Sequence, residues 1–117
     1  MHDFLFVYGT LRSEFDNPYA QRLRSEARLV GRATVAGSIF LVAEYPGYRP
    51  HPPGKVHGEL YRLLTPEATL NALDDYEGAE YRRVAIRVST GESAWIYRFE
   101  SRPPFGARIA SGDFCAP

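Results

Sequence analysis

Phe4-Leu5-Phe6-Val7-Tyr8-Gly9-Thr10-Leu11-Arg12 is the stretch on which the reading of this chain turns. Four consecutive apolar residues run straight into Tyr-Gly-Thr. A short apolar run cut off by glycine reads as a strand buried on both faces. Gly9 permits either a positive φ or a close approach of other atoms to its backbone, and either lets the chain turn sharply. Such a turn can leave successive N–H groups unpaired and pointing one way, a small concavity suited to a carboxylate or a developing oxyanion. An ordinary first strand with an ordinary glycine turn fits the same residues, and the stretch alone does not choose.

Outward from that stretch, the bulk numbers set bounds. With 117 residues, 44% apolar and 14% aromatic, the chain has room for one domain with one core. Fourteen basic and fourteen acidic side chains cancel, which removes the electrostatic case for nucleic acid. No apolar stretch approaches the roughly 18 to 20 residues of a membrane-spanning helix, so no membrane partner is expected. The start, Met1-His2-Asp3, lacks the positive region of a secretory signal. Cys115 is the single cysteine and forms no internal disulfide, which fits a reducing compartment, the cytoplasm by default. Oligomeric state is not legible.

In chain order, Asn17-Pro18 places a cap before proline at the first helical position, and Tyr19 to Ala27 follows as a short helix. Arg28 to Val42 is rich in β-branched and apolar residues, with Gly31 and Gly37 inside it, and reads as two strands or one bent strand. Tyr45 to Gly54 is rich in proline and glycine and reads as a loop, too aromatic for a passive linker and placed on a binding surface. Val56 to Leu63 is a strand with inward positions at Val56, Gly58, Leu60 and the stem of Arg62. Thr65-Pro66-Glu67 opens a second helix with Leu70, Leu73 and Tyr76 on one face, and Gly78 ends it. Glu80 to Val88 and Glu92 to Glu100 are strands of a hairpin turning at Ser89-Thr90-Gly91, and Ile109 to Phe114 is tacked back onto the body. The balance is α+β, with a curled or barrel-like sheet.

Asp74, Asp75 and Glu77 crowd the last turn of the second helix, against a dipole that favours cations there by roughly 0.3–1 kcal/mol each. Like charges and a helix C-terminus would raise a carboxylate's pKa toward the range of a general base at neutrality. Three acids simply sitting in water fit equally well. His2, His51 and His57 have no metal-ligand spacing, so no metal is expected. Cys115 has no evident partner base, Ser13 and Ser38 lack a nucleophile elbow, and Gly9 has no companion glycines for a phosphate loop. Acid–base chemistry by a carboxylate beside a backbone anion hole is what remains. Alternation puts Tyr81, Arg83 and Ala85 on one face of their strand and Arg82, Val84 and Ile86 on the other. Tyr81 and Tyr97 read as half-buried packing with bonded tips, or as groups that touch a substrate.

Together these stretches resemble the gamma-glutamylcyclotransferase-like family. The matching pieces are Tyr8-Gly9-Thr10-Leu11-Arg12, Gly37 through Tyr45-Pro46-Gly47, and Val56-x-Gly58-Glu59-Leu60-Tyr61. Leu73-Asp74-x-Tyr76-Glu77-Gly78, Tyr81-x-Arg83 and the closing Ser111-Gly112-Asp113-Phe114 complete them, where the family pattern has Gly-Asp-Trp. The resemblance implies a small mixed β-barrel with a few short helices packed outside, and a cavity mouthed by the Tyr8–Arg12 loop. It implies conversion of a small-molecule γ-glutamyl amide into 5-oxoproline and a free amine, without a cofactor. By the same resemblance Glu77 is the catalytic acid/base and Tyr8, Gly9, Thr10 and Leu11 form the substrate-binding loop, with Tyr81 and Tyr97 as further substrate contacts. The substrate supplies its own nucleophile, the α-amino group, consistent with none being visible in the chain. A non-catalytic module binding a γ-glutamyl or amino-acid-like group is the alternative, and an enzyme of this fold acting on a different amide is a third reading.

Overall fold

In the computed structural model, which describes residues 3–42, 44–50, 54–101 and 107–116, the opening run forms strand β1, Phe4–Val7. It is buried on both faces, as its unbroken apolar sequence requires. Phe6, and Tyr8 just beyond the strand, join one core cluster with Ile39, Tyr48, Val56, Leu60 and Ile96. Leu5 and Val7 face the other way, into a second cluster with Leu23, Leu70 and Leu73 of the helices. One cluster fills the curl of the sheet and the other glues the helices to it.

The remaining elements are α1 (Pro18–Glu26), β2 (Ala27–Ala36), β3 (Ser38–Val42), β4 (Tyr45–Arg49), β5 (Lys55–Leu63), α2 (Pro66–Glu77), β6 (Tyr81–Arg87) and β7 (Ser93–Phe99). Asn17 caps α1 by accepting the Ala20 N–H at 2.9 Å, with Pro18 following as the sequence predicts. The helix stops one residue short of expectation because Ala27 already pairs with Leu63 as the first residue of β2. The glycine-interrupted stretch resolves into two strands broken at Gly37, with a bulge between Leu29 and Gly31. At α2, Thr65 sits at the cap position without a side-chain cap bond; its hydroxyl meets that of Thr69 instead. Gly78 ends the helix at φ 84°, its N–H donating to the Asp74 carbonyl.

Two sequence expectations need correction. Tyr45 to Arg49 is a strand, not a loop: it forms an antiparallel hairpin with β3 from Ser38/Arg49 to Val42/Tyr45. Gly47 makes this possible, since a Cβ there would lie 2.8 Å from that of Phe99. The rest of that predicted loop, His51 to Pro53, lies outside the described residues. The β5 pattern is also not period two, because β5 lies between β1 and β2 and buries Glu59, Tyr61 and Leu63 on its other face, while Arg62 is exposed.

The seven strands among the described residues form a single curled sheet in the order β2-β5-β1-β7-β4-β3, with β6 on β7. β6 pairs all seven residues of β7, from Tyr81/Phe99 to Arg87/Ser93, so β1 and β4 share the opposite edge of β7. They meet it at different levels, β1 at Leu5/Trp95 and β4 at Tyr48/Arg98, both parallel. Between those levels the Tyr8 hydroxyl donates to the Tyr97 carbonyl at 2.7 Å and accepts the Tyr48 N–H at 3.0 Å. The sheet parts there, and one side chain bridges it. The far margins of the curl approach each other at Ser89 and Thr34, which exchange two hydrogen bonds of 2.9 Å. The architecture is α+β, a half-barrel with the two helices of the described residues packed on its outer face, as the resemblance implies.

Candidate active site

A cavity of about 320 Å³ opens where the sheet parts. The end of β1 and the turn after it supply Phe6 through Leu11; the β3–β4 hairpin supplies Val42, Tyr45 and Pro46. The end of α2 adds Tyr76 and Glu77, the start of β6 adds Glu80 and Tyr81, and β7 adds Tyr97. The site residues that the resemblance implies therefore all line one cavity: Glu77, Tyr8, Gly9, Thr10, Leu11, Tyr81 and Tyr97; Asp74 and Asp75 do not.

Gly9 to Arg12 is a tight turn closed by the Arg12 N–H on the Gly9 carbonyl at 3.0 Å. Gly9 needs no positive φ; of the two roles open to it in the sequence, the structure uses close approach. A Cβ there would lie 2.7 Å from Cγ of Pro46. The Asn17 side chain donates to the Thr10 carbonyl at 2.8 Å, and the Thr10 hydroxyl pairs with that of Tyr76 at 2.7 Å. The backbone N–H groups of Gly9, Thr10 and Leu11 have no partner among the described residues. A turn held on several sides, with three uncommitted donors on a cavity wall, is suited to an anion.

Glu77 makes no ion pair or hydrogen bond with a described residue. The residue is partly exposed as a whole, but its carboxylate is withdrawn from water, and that desolvation pushes its pKa up to about 7. Crowding of like charges is not the cause. The other two acids of the sequence cluster are disposed of separately: Asp75 is exposed, and Asp74 is clasped by Arg83 at 3.0 and 3.2 Å. Asp74 also accepts the Tyr97 hydroxyl at 2.7 Å, while the Arg83 guanidinium lies 4.5 Å from the Trp95 ring centroid. The cluster thus divides into one solvated acid, one structural acid and one half-buried acid on the cavity wall.

The tyrosines divide similarly. Tyr81 donates to the Pro46 carbonyl at 2.9 Å and packs edge-on against Phe99. Tyr97 donates to Asp74, and Tyr8 is bonded on both sides. Burial first, and the nearby Glu77 charge after it, raise the phenols of Tyr8 and Tyr81 above the usual range. Burial and the bond to Asp74 do the same for Tyr97. All three hydroxyls therefore stay protonated at neutral pH and give their protons to the protein. With those protons committed, these oxygens can meet a ligand only as acceptors.

The sequence pattern does not mark Tyr76, which reads as a core-facing helix residue; the Tyr45–Gly54 stretch, read as part of a binding surface, does bring Tyr45 and Pro46 to the cavity. The pattern also passes over Glu80, an exposed acid on the rim. A stack of Tyr76 on Tyr19, with centroids 4.4 Å apart, continues the aromatic wall outward. No group of His, Cys, Asp and Glu able to hold a metal occurs among the described residues. No helix among them is long and apolar enough to cross a membrane.

The family model for gamma-glutamyl cyclotransferase, AIG2-like, matches residues 5–116. Among solved structures, protein ytfP from Escherichia coli is 35% identical, with 97% of this chain and 96% of that one covered at a TM-score of 0.73. An uncharacterized protein from Pyrococcus horikoshii is 28% identical over 95% of this chain and 88% of its own, with a TM-score of 0.78. An AIG2-like protein from Mus musculus is 27% identical, the shares covered being 89% and 82% and the TM-score 0.71. A search of curated proteins finds no match.

Proposed function

This chain belongs to the AIG2-like gamma-glutamyl cyclotransferase family, and from that premise we propose that it releases 5-oxoproline and a free amine from a small-molecule γ-glutamyl amide. The observation that carries the proposal is the Glu77 carboxyl, pushed up to about 7 by burial in a cavity it shares with the open Gly9–Leu11 amides. A base poised near the working pH is what proton transfer at neutrality requires.

The chemistry follows from the substrate's own groups. Its α-ammonium loses a proton to the Glu77 carboxylate, and the free amine attacks the γ-carbonyl carbon four bonds away along the same molecule, closing a five-membered ring. Closure is intramolecular, so a well-held conformer gains on the order of 10⁵ M or more in effective molarity. The carbonyl oxygen becomes an oxyanion, to which the Gly9, Thr10 and Leu11 N–H groups are the available donors, worth about 3 kcal/mol for each good one. Collapse of the tetrahedral intermediate breaks the bond to the departing nitrogen. Between start and finish two protons leave the α-nitrogen and two reach the leaving amine. A carboxyl near neutrality carries them one at a time. Thr10, Tyr76, Tyr81 and Tyr97 shape the cavity around these steps, and the tyrosine oxygens suit an ammonium. The single cysteine, Cys115, is the ground for placing the reaction in a reducing compartment such as the cytoplasm.

The test is mass-spectrometric detection of 5-oxoproline from a panel of γ-glutamyl amines and dipeptides, with Glu77→Gln in parallel. Release by the natural protein that vanishes in the variant supports the proposal. No release from any member, with γ-glutamyl compounds still bound in calorimetry, makes the cavity a binding module.

A further inference from the structure

We propose that Asp113, in the C-terminal tail, is a positioning residue for the Gly9–Leu11 turn, acting through the guanidinium of Arg12. The catalytic consequence of this rests on the cyclotransferase reading above; the mechanical one does not.

Arg12 follows the turn directly and closes it with its own N–H on the Gly9 carbonyl, so the backbone of Arg12 cannot shift without opening the turn. Its side chain is 1% exposed. A buried guanidinium is tolerated only where carboxylates surround it. Two do so here. Glu14 takes Nε and Nη2 at 3.2 and 2.8 Å, and Asp113 takes Nη1 at 2.7 Å. Their roles differ by origin. Glu14 stands two residues from Arg12, and its one tie to the sheet among the described residues is a 3.7 Å pair with the exposed side chain of Arg32 on β2, so it neutralises the charge more than it fixes it in space. Asp113 comes from the other end of the chain and is itself fixed.

Several contacts fix it. The Gly112 carbonyl accepts the His57 N–H of β5 at 2.8 Å, and the Ile109 N–H donates to Ile39 of β3 at 2.9 Å. Gly112, at φ 70°, lies so close to the Lys55 carbonyl that a Cβ would sit 1.9 Å from its oxygen. Phe114 stacks on Phe15 with centroids 6.0 Å apart. The carboxylate of Asp113 is oriented in turn, accepting the Cys115 N–H at 3.0 Å. The tail therefore seats on β3 and β5 and presents one oxygen to Arg12. A second anchor lies next door and is independent of it: Ser13 donates its N–H and its hydroxyl to the buried Glu59 of β5, at 2.6 and 2.5 Å. With Ser13 held by Glu59, loss of Asp113 leaves the segment on the body and loosens the Arg12 end of the turn, which Asn17 and Tyr76 hold at Thr10 alone. Preorganised donors lose their value when they must be reoriented during the reaction.

The experiment compares the natural protein with Asp113→Ala and Asp113→Asn. It reads kcat and KM for 5-oxoproline release, the amide NMR shifts of Gly9, Thr10 and Leu11, and the thermal midpoint. The expected result for Asp113→Ala is a fall in kcat of about tenfold or more, the order of part of an oxyanion contribution, with KM changed far less. The three turn amides shift while those of residues 89–91 stay, and Asp113→Asn falls between. Wild-type kcat with unmoved turn amides overturns the proposal, as does a lowered midpoint with kcat unchanged. If Asp113→Ala does not fold, the same readouts on Asp113→Asn decide. If the natural protein itself releases no 5-oxoproline, the cyclotransferase reading fails alone. The turn amides then decide this proposal by themselves, moved in its favour or unmoved against it.

Discussion

Glu77 is kept where folding alone would not keep a carboxylate. It ends a helix, where the dipole disfavours it, and it is desolvated with no described partner in return. The sign of the stability effect follows from the direction of the shift. The folded pKa of about 7 lies above the ordinary 4.5, so the folded state holds the proton more tightly. The stability this contributes is present below about 4.5, fades as pH rises toward 7, and stays lost above it. Glu77→Gln is therefore expected to melt several degrees higher than the natural protein at pH 8 and to lose that advantage at pH 4, as thermal scans at the two pH values will show. A variant no more stable at pH 8 would mean the carboxylate is not desolvated. Gly9 is the second residue whose identity is fixed by contact. In Gly9→Ala the new methyl meets Pro46, so the turn or the β3–β4 hairpin must move, and turnover falls by about tenfold or more. Activity within a factor of two of the natural protein would show the neighbour yields freely.

At the scale of elements, the end of α2 is fastened to β6 and β7 by Asp74, which gathers Arg83 and Tyr97. The same helical turn supplies the Gly78 cap bond and the Glu77 carboxyl. Asp74→Ala removes the fastening, and hydrogen exchange at the Gly78 amide should rise several-fold, with exchange in β5 unaffected. Equal protection in both proteins would make the clasp superfluous. How far these elements could be read from the chain depended on what buries them. β1 was legible because burial on both faces leaves a continuous apolar run, and α2 because cap, proline, spacing and glycine agree. β4 was not legible. Its Tyr-Pro-Gly-Tyr carries the composition of a loop, and only its contacts with β3, Phe99 and Tyr81 make it a strand. The acids were legible as an anomaly but not as individuals. Spacing could not say that Arg83 would take Asp74, that Asp75 would face water and that Glu77 would turn inward; the family resemblance picked out Glu77.

For the molecule as a whole, the cavity is a consequence of how a curled sheet is closed and split. β1 and β4 take successive levels of one edge of β7, and the site forms between them, much as ligand crevices in open α/β sheets lie where adjacent strands diverge. Neither the split nor the Ser89–Thr34 closure has a local sequence signature, since both depend on which strands become neighbours. Ser89→Ala deletes the side-chain bond to the Thr34 N–H and leaves the backbone one. It should cost about 1 kcal/mol in denaturant unfolding and leave turnover unchanged, because neither residue lines the cavity. Lost turnover at unchanged stability would instead tie the closure to the site. In the proposed mechanism the carboxyl of Glu77 moves the protons of ring closure. The most direct measurement of it is the pH dependence of kcat/KM for 5-oxoproline release, from pH 5 to 9, in the natural protein and in Glu77→Gln. The proposed mechanism requires a limb that rises with pH through about 7 as Glu77 deprotonates, and a variant reduced by about 100-fold or more with that limb gone. A variant with the same limb and comparable rates would contradict it.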